Sequence, residues 1–449
     1  MLGESQLGTA LDMFGWTAIP KDWSFDLLGN RCVIRRGSSP RPAGDPKFFG
    51  DGSIPWIKIG DATKAGGRYI ESTDEFVNEE GAKRSVRIPP GSLIIANSGV
   101  SLGFAAITRI EGCIHDGWLL TTDFQGIDRD YLYYCINLVT HKIRSFADGT
   151  TQPNLNTDIA RRLLVPMPPI QEQRAIASLL GALDDKIELN RQINETLEAM
   201  ARLFFKDWFV DFGPTRAKAE GRPTYLAPDL WALFPDALDD DDKPVGWEIS
   251  TIGQEVRVVG GSTPSTKELA YWDGDFCWAT PKDLSTLKSP VLLNTERRIT
   301  QTGVSQISSG LLATGTVLLS SRAPIGYLAI NQMPTAVNQG FIAMVCEGRL
   351  SNVFVWLWTQ ANIETILQKA NGSTFLEISK TNFRPITVII PDMLIRNAFD
   401  EIVQPLYKQI VGNEQESETL AQTRDLLLPE LMSGKIRLRD AEKLVEKVA

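Results

Sequence analysis

"PIQEQRAIASLLGALDDKIELNRQINETLEAMARLFFKDWF", Pro169–Phe209, decides how the rest of the chain is read. Ile176, Leu180, Leu183, Ile187, Leu197, Phe204 and Trp208 are spaced in threes and fours or sums of them, the spacing of one helix face. Roughly 40 helical residues span about 60 Å. A rod with one apolar stripe is unstable alone and needs a long surface to lie against.

That surface is supplied by the chain itself, because the sequence repeats at an offset of 222–224 residues. "PKDW" (Pro20–Trp23) returns as "PVGW" (Pro244–Trp247), and "GSSP" (Gly37–Pro40) as "GSTP" (Gly261–Pro264). "DGSIPWIKIGD" (Asp51–Asp61) returns as "DGDFCWATPKD" (Asp273–Asp283). "GSLIIANSG" (Gly91–Gly99) returns as "GTVLLSSRA" (Gly315–Ala323), and "GTT" (Gly149–Thr151) as "GST" (Gly372–Thr374). Shifted by 223, the stripe lands on Phe399, Val403, Leu406, Ile410, Leu420, Leu427 and Leu431, all apolar. Two such stripes predict two helices pairing along a coiled-coil seam. Asn190 interrupts the first stripe and Asn413 stands at the matching place in the second. A buried Asn pair fixes register; the alternative is a solvated flank. Pro405 should kink the second helix or delay its start.

Each half reads as a globular block followed by a long helix. Short β-like runs such as "SLIIANSG" and "TVLLSSRAPIGYLAI", mixed with helical patterns such as "DYLYYCINLVTHKIRSFA", indicate an α+β fold. The predicted division is a block over 1–165, a helix over 166–213 and an extended connector over 214–243. A second block over 244–390, a helix over 391–432 and a tail over 433–449 follow. The net charge of −9 sits on the helices and connector, and the two blocks are near neutral, so each can carry a basic face. "DDDD" (Asp239–Asp242) reads as a solvated run. No basic n-region precedes an apolar run at the N-terminus, and no apolar stretch is long enough to span a bilayer. The five cysteines are scattered and odd in number, which predicts reduced thiols in a cytoplasmic protein.

No catalytic constellation is present. The two histidines, His115 and His141, form no metal spacing with cysteines. No G-x-G-x-x-G, P-loop or Asn/Asp-Pro-Pro-aromatic tetrapeptide occurs, and the serines of "NSG" and "SSRAP" lack a local nucleophile-elbow context. A duplicated block without chemistry suits a two-handed reader of a long ligand. Duplex DNA fits, because its groove faces recur about every 34 Å. Periodicity does not exclude a protein–protein scaffold or a self-contained DNA-modifying enzyme.

Several segments resemble the specificity subunits of Type I restriction-modification systems. They include "SIPWIKIGD", "CIHDGWL", "WATPKDL", "SSRAPIGYLAINQ", "AVNQGF", "LMSGKI" and, most specifically, the proline–"IQEQ"–helix–"DWFVDF" run. The resemblance implies two target-recognition domains, each followed by a spacer helix, with the helices packed antiparallel. It implies two modification subunits docked on the helices, binding S-adenosylmethionine and methylating adenine. It further implies possible ATP-driven restriction subunits, and no cofactor or catalysis in this chain. One departure stands out: the second helix opens with "PDMLIRNAF" where the first has "PPIQEQRAI". Unequal docking of the partners is the expectation.

Base edges are read by Arg or Lys at guanine and by Asn or Gln at adenine. The candidates are Arg35, Arg36, Lys58, Asn97, Ser98 and Thr151 in the first block. In the second they are Lys282, Ser321, Arg322, Asn338, Gln339 and Thr374. The competing reading is that these Gly/Ser/Thr/Asn residues shape turns, preferred for the Gly-Ser-x-Pro segments. Specificity should lie where the halves differ, as at Arg35 and Arg36, which align with Val259 and Gly260. His115 aligns with Asn338 and is expected to be structural. Docking candidates on the first helix are Gln171, Glu172, Gln173 and Arg174 at one end, and Arg202, Lys206 and Asp207 near the other.

Overall fold

The computed structural model describes residues 4–146, 154–372 and 376–445. The "GTT"/"GST" repeat falls mostly outside them. The chain forms two compact units, 1–188 with 417–449 and 189–416.

In the first unit a five-stranded sheet runs in the order Val33–Arg36, Trp118–Thr122, Leu93–Ala96, Ala105–Thr108, Tyr69–Ile70. A four-stranded sheet holds Ile54–Ile57 parallel to Gly112–Ile114, with Phe76–Val77 and Val86–Ile88 outside them. Ser24–Leu27 pairs antiparallel with Leu164–Met167. Helix Arg129–Phe146 covers the five-stranded sheet, and its Tyr131, Leu132 and Ile136 join Leu93, Ile95 and Leu119 in one core. The other sheet face buries Ile94, Ala106 and Trp118 with Ile57 and Ile114. Alternate residues of the strand Leu93–Ala96 therefore serve two cores, which is why the whole run is apolar.

The second unit repeats this almost strand for strand. Its five-stranded sheet runs Arg257–Val259, Phe341–Val345, Val317–Ser321, Ile325–Asn331, Val291–Leu292. Trp272–Ala279 lies parallel to Thr335–Val337 and antiparallel to Arg297–Ile299. Glu248–Thr251 pairs with Thr387–Ile390. Register is kept to the residue: Arg35 faces Leu120, and Val259 faces Ala343. Even the Asp-Gly turns match, with Asp51 at φ 51° and Asp273 at φ 58°.

The two long helices, Ile170–Phe209 and Met393–Met432, each contribute to both units. In the first unit Ile176, Leu180 and Leu183 share a core with Leu420, Leu427 and Leu431, and Ile187 packs against it. In the second, Trp208 joins Phe399, Val403 and Ile410 in an aromatic-rich core, with Phe399 5.8 Å from Trp208 and 4.8 Å from Phe209. Within each unit the helices run antiparallel. Asn190 and Asn413 are buried: Asn190 Nδ2 donates to Asn413 O at 3.3 Å, and Asn413 Nδ2 to Asn194 Oδ1 at 2.8 Å. The polar layer is at the seam.

Leu197, Phe204 and Leu406 of the predicted stripe are half-buried and pack at the edge of the second unit's core. Glu198, Phe205 and Tyr407 take the buried positions. A strict seven-residue step assumes 3.5 residues per turn, and an untwisted helix drifts about 20° per heptad from it. Past Asn190 the seam therefore slips one residue to Asn194, Glu198, Ala201 and Phe205. Pro405 does not delay the helix, which starts at Met393 and runs through it. Pro405 and Glu401 lie on the exposed face, where water can take over the carbonyl that loses its amide partner.

The first long helix spans Ile170–Phe209 within the predicted 166–213, and the connector is not simply extended. It carries helices Gly213–Ala219 and Pro228–Leu233, and Asp242 binds Arg216. The predicted tail forms helix Leu438–Val445, whose Ala441 is fully buried in the first unit's core.

Candidate nucleic-acid interface

In the first unit, loops at one end of the sheets converge on the turn His115–Asp116–Gly117. Gly37 follows the edge strand and donates its N–H to Trp118 O at 2.8 Å. A Cβ on Gly37 would sit 2.2 Å from His115 O, so only glycine allows this approach. His115 Nδ1 accepts the Gly117 N–H at 2.8 Å, which makes Nδ1 the acceptor and leaves the ring proton on Nε2. Burial first, then the charges of Lys58, Arg41 and Arg36, lower the His115 pKa against the pull of Asp116.

Asp116 is the centre of the group. Its Oδ1 accepts from Ser39 Oγ at 2.5 Å and lies 3.1 Å from His115 Nε2. Its Oδ2 accepts from Arg41 Nη2 at 3.1 Å. Its carbonyl accepts from Arg36 Nε and Asn97 Nδ2, both at 2.9 Å. Burial pushes the Asp116 pKa up. The Ser39 hydrogen bond and the charges of His115, Arg41 and Arg36 outweigh it and hold the carboxyl below its usual range. Lys58 caps helix Ile59–Ala65 and pairs with Glu75. The result is a basic patch of exposed Arg36 and Arg41 with half-buried Lys58, beside the half-buried Asp116 carboxylate.

The second unit repeats the frame with other chemistry. Asn338 Oδ1 accepts the Gly340 N–H at 2.8 Å, as His115 does for Gly117. A Cβ on Gly261 would lie 1.7 Å from Val337 O. Thr263 Oγ1 donates to Gln339 Oε1 at 2.7 Å, in the place of Ser39 and Asp116. Gln339 is exposed. Lys282 pairs with Glu296 at 2.7 Å, and Arg322 Nη1 lies 3.9 Å from Glu377.

The structure thus gathers Arg36, Lys58 and Asn97 around one turn, and Arg35 lies exposed on the same edge strand. Two candidates are corrected. Asn97 is 1% exposed and Ser321 is 3% exposed. They occupy equivalent positions, and their backbone N–H groups donate to Gly117 O and Gly340 O, both at 2.8 Å. Neither presents its side chain to a base edge here. Asn338 is half-buried with its Oδ1 committed to the turn, and Ser98 is half-buried in a bridge to Asn154. Thr151 and Thr374 lie outside the described residues. Ser39, Arg41, Asp116 and Thr263 were missed; "CIHDGWL", a charged pair between apolar strands, was the available signal for Asp116.

Two docking candidates are also corrected. Gln173 is fully buried. It accepts from Asp128 N at 2.8 Å and donates to Gly126 O at 3.1 Å and Pro168 O at 2.9 Å. Glu172 accepts from Trp23 Nε1 at 3.1 Å and Arg437 Nη1 at 2.7 Å. Both bind the helix start to its own unit. Arg396 does the same in the second half, donating to Pro391 O at 3.1 Å and to Arg349 O. The divergent "PDMLIRNAF" therefore keeps the anchor. What differs outside is Gln171 and Arg174 against Leu394 and Asn397, all exposed. Near the other end, Arg202 pairs with Glu198 at 3.3 Å, Lys206 with Asp211, and Asp207 accepts from Tyr225 Oη at 2.9 Å.

No group of three or more potential metal ligands occurs among the described residues, and no helix among them is long and apolar enough to cross a membrane. The duplicated block, its loop frame and the helix pair define a two-domain specificity protein. The chain belongs to the Type I restriction modification DNA specificity domain family, which matches residues 20–199 and again 244–422. It is 26% identical to the Type I restriction enzyme MjaIX specificity subunit of Methanocaldococcus jannaschii, covering 94% of this chain and 95% of that one. It is also 26% identical to the HindI specificity subunit of Haemophilus influenzae, over 72% and 82% of the two chains. A solved Type I S subunit from M. genitalium shares the fold at a TM-score of 0.55 and 15% identity, over 92% of this chain and 96% of that one.

Proposed function

We propose that this chain is the non-catalytic DNA-specificity subunit of a cytoplasmic Type I restriction-modification complex. Each block reads one half of an asymmetric two-part target. The two 40-residue helices, each about 60 Å long, set the unread spacer and dock two modification subunits. Those subunits bind S-adenosylmethionine and methylate adenine. Restriction subunits would add ATP-driven translocation and cleavage. The observation that carries this reading is one loop frame built twice on matching strands with different residues at equivalent places: exposed Arg35 and Arg36 against half-buried Val259 and Gly260, and half-buried Asp116 against exposed Gln339.

Methylation mapping in cells that express the chain with its modification subunit tests the proposal. A two-part motif with a fixed gap is expected, and replacing 1–165 should change one half only. A short continuous motif, or no methylation with the partner bound, would favour a scaffold. Binding by the assembled complex should weaken steeply with salt, because phosphate contacts release counterions.

A further inference from the structure

We infer that Asp116 is a specificity-determining positioning residue of the first block, acting through Arg41, and that Gln339 is its base-contacting counterpart in the second. The inference rests on the reading of the blocks as DNA readers.

A carboxylate near a polyanion is repelled, so it belongs in a DNA-facing patch only if it contacts a base amine or organises cations. Both oxygens of Asp116 are occupied: Oδ1 by Ser39 and His115 Nε2, Oδ2 by Arg41. Its carbonyl holds Arg36 Nε at 2.9 Å. Asp116 therefore reads nothing directly. Its side chain restrains Arg41, whose guanidinium would otherwise sample many rotamers, while the main-chain carbonyl at the same position holds Arg36. An arginine held this way meets guanine O6 and N7 with less entropy to lose. Arg41 remains 69% exposed at its side chain, so its outer N–H groups stay open to a ligand.

Gln339 occupies the same turn on the same frame, because His115 and Asn338 bond equivalent glycine N–H groups and Ser39 and Thr263 bring equivalent hydroxyls. Thr263 uses one lone pair of Gln339 Oε1. The second lone pair and the amide N–H₂ point from an exposed side chain. That is the donor–acceptor pair that matches adenine N6 and N7. The frame is duplicated and the chemistry at this one position is not, as expected where the two half-sites differ.

The test is methylation mapping with the assembled complex carrying Asp116→Asn, Asp116→Glu, Arg41→Ala or Gln339→Ala. Asp116→Asn keeps the shape and an acceptor for Ser39 but removes the charge. It should lower discrimination about tenfold at one or two positions of one half-site, leaving the other half unchanged. Arg41→Ala should relax the same positions, the double variant should add little, and Asp116→Glu should restore much of the preference. Gln339→Ala should relax one position in the other half. An Asp116→Asn complex that co-purifies intact and keeps the full motif would overturn the inference for Asp116; uniform loss of methylation across all positions would do the same. If the unaltered complex yields no two-part motif, the underlying reading fails instead.

Discussion

His115 and Asn338, 223 residues apart in the chain, close the same turn: each accepts the N–H of the glycine two residues on, at 2.8 Å. One is a ring nitrogen and the other an amide oxygen, so the fold selects an acceptor at a place and not a residue type. His115→Asn should therefore be tolerated, within about 0.5 kcal/mol, whereas His115→Ala should cost about 1 kcal/mol by orphaning the Gly117 N–H. Thermal denaturation of the two variants side by side checks this.

Gly37→Ala and Gly261→Ala should each be severely destabilising. The added Cβ would lie 2.2 Å from His115 O in one case and 1.7 Å from Val337 O in the other. Backbone cannot swing away as a side chain can, so a loss of about 3 kcal/mol or more is expected. Soluble yield and amide-exchange protection, read separately for each unit, measure it. Wild-type protection in both variants would contradict the packing described.

Glu198 is a buried carboxyl at the second unit's helix seam. Burial raises its pKa to about 7, against the pull of Arg202 and with Glu414 and Glu195 adding to the rise. Its folded pKa lies above its unfolded value, so the folded state binds the extra proton. Stability then falls as pH rises from about 4.5 to about 7. Glu198→Gln should leave the melting temperature nearly unchanged at pH 4 and raise it by about 3 °C at pH 8. Melting curves of the two proteins at those pH values are the measurement; equal curves at pH 8 would remove the ionisation cost.

Gln173 and Arg396 hold the starts of the two long helices to equivalent carbonyls, Pro168 O with Gly126 O and Pro391 O with Arg349 O. Gln173→Ala removes the buried bond to Pro168 O and the part-buried bonds to Gly126 O and the Asp128 N–H, a loss of about 2 kcal/mol. Gln173→Arg is the informative control. If the Arg396 geometry transfers, it should recover part of that loss in a urea titration.

The helix seam shows how much was legible beforehand. Ile176, Leu180, Leu183, Ile187 and Trp208, with Phe399, Val403, Ile410 and Leu431, could be read because burying an apolar stripe leaves a period in the chain. Leu197 and Phe204 could not be placed, because a one-residue slip depends on how far the helix is overwound against its partner. The loop frame was legible as repeated Gly-Ser-x-Pro and Asp-Gly segments. Asp116 left a signal only in "CIHDGWL"; its role was not legible, since its partners Ser39, Arg41 and Arg36 are 75–80 residues away and ordinary in composition. Asn97, Ser321, Glu172 and Gln173 have the chemistry of surface readers, and only burial, or for Glu172 its bonds to Trp23 and Arg437, assigns them to the fold.

By itself, then, the sequence determined the duplication, the α+β blocks and the paired helices. Those features are periodic or local, and a period survives in one dimension. Tertiary structure alone decided which polar side chains face outward, which carboxylate gathers the arginines and which glutamine stays open. Each of those depends on segments 75–80 residues apart in the chain meeting within about 3 Å, a distance the linear order does not carry.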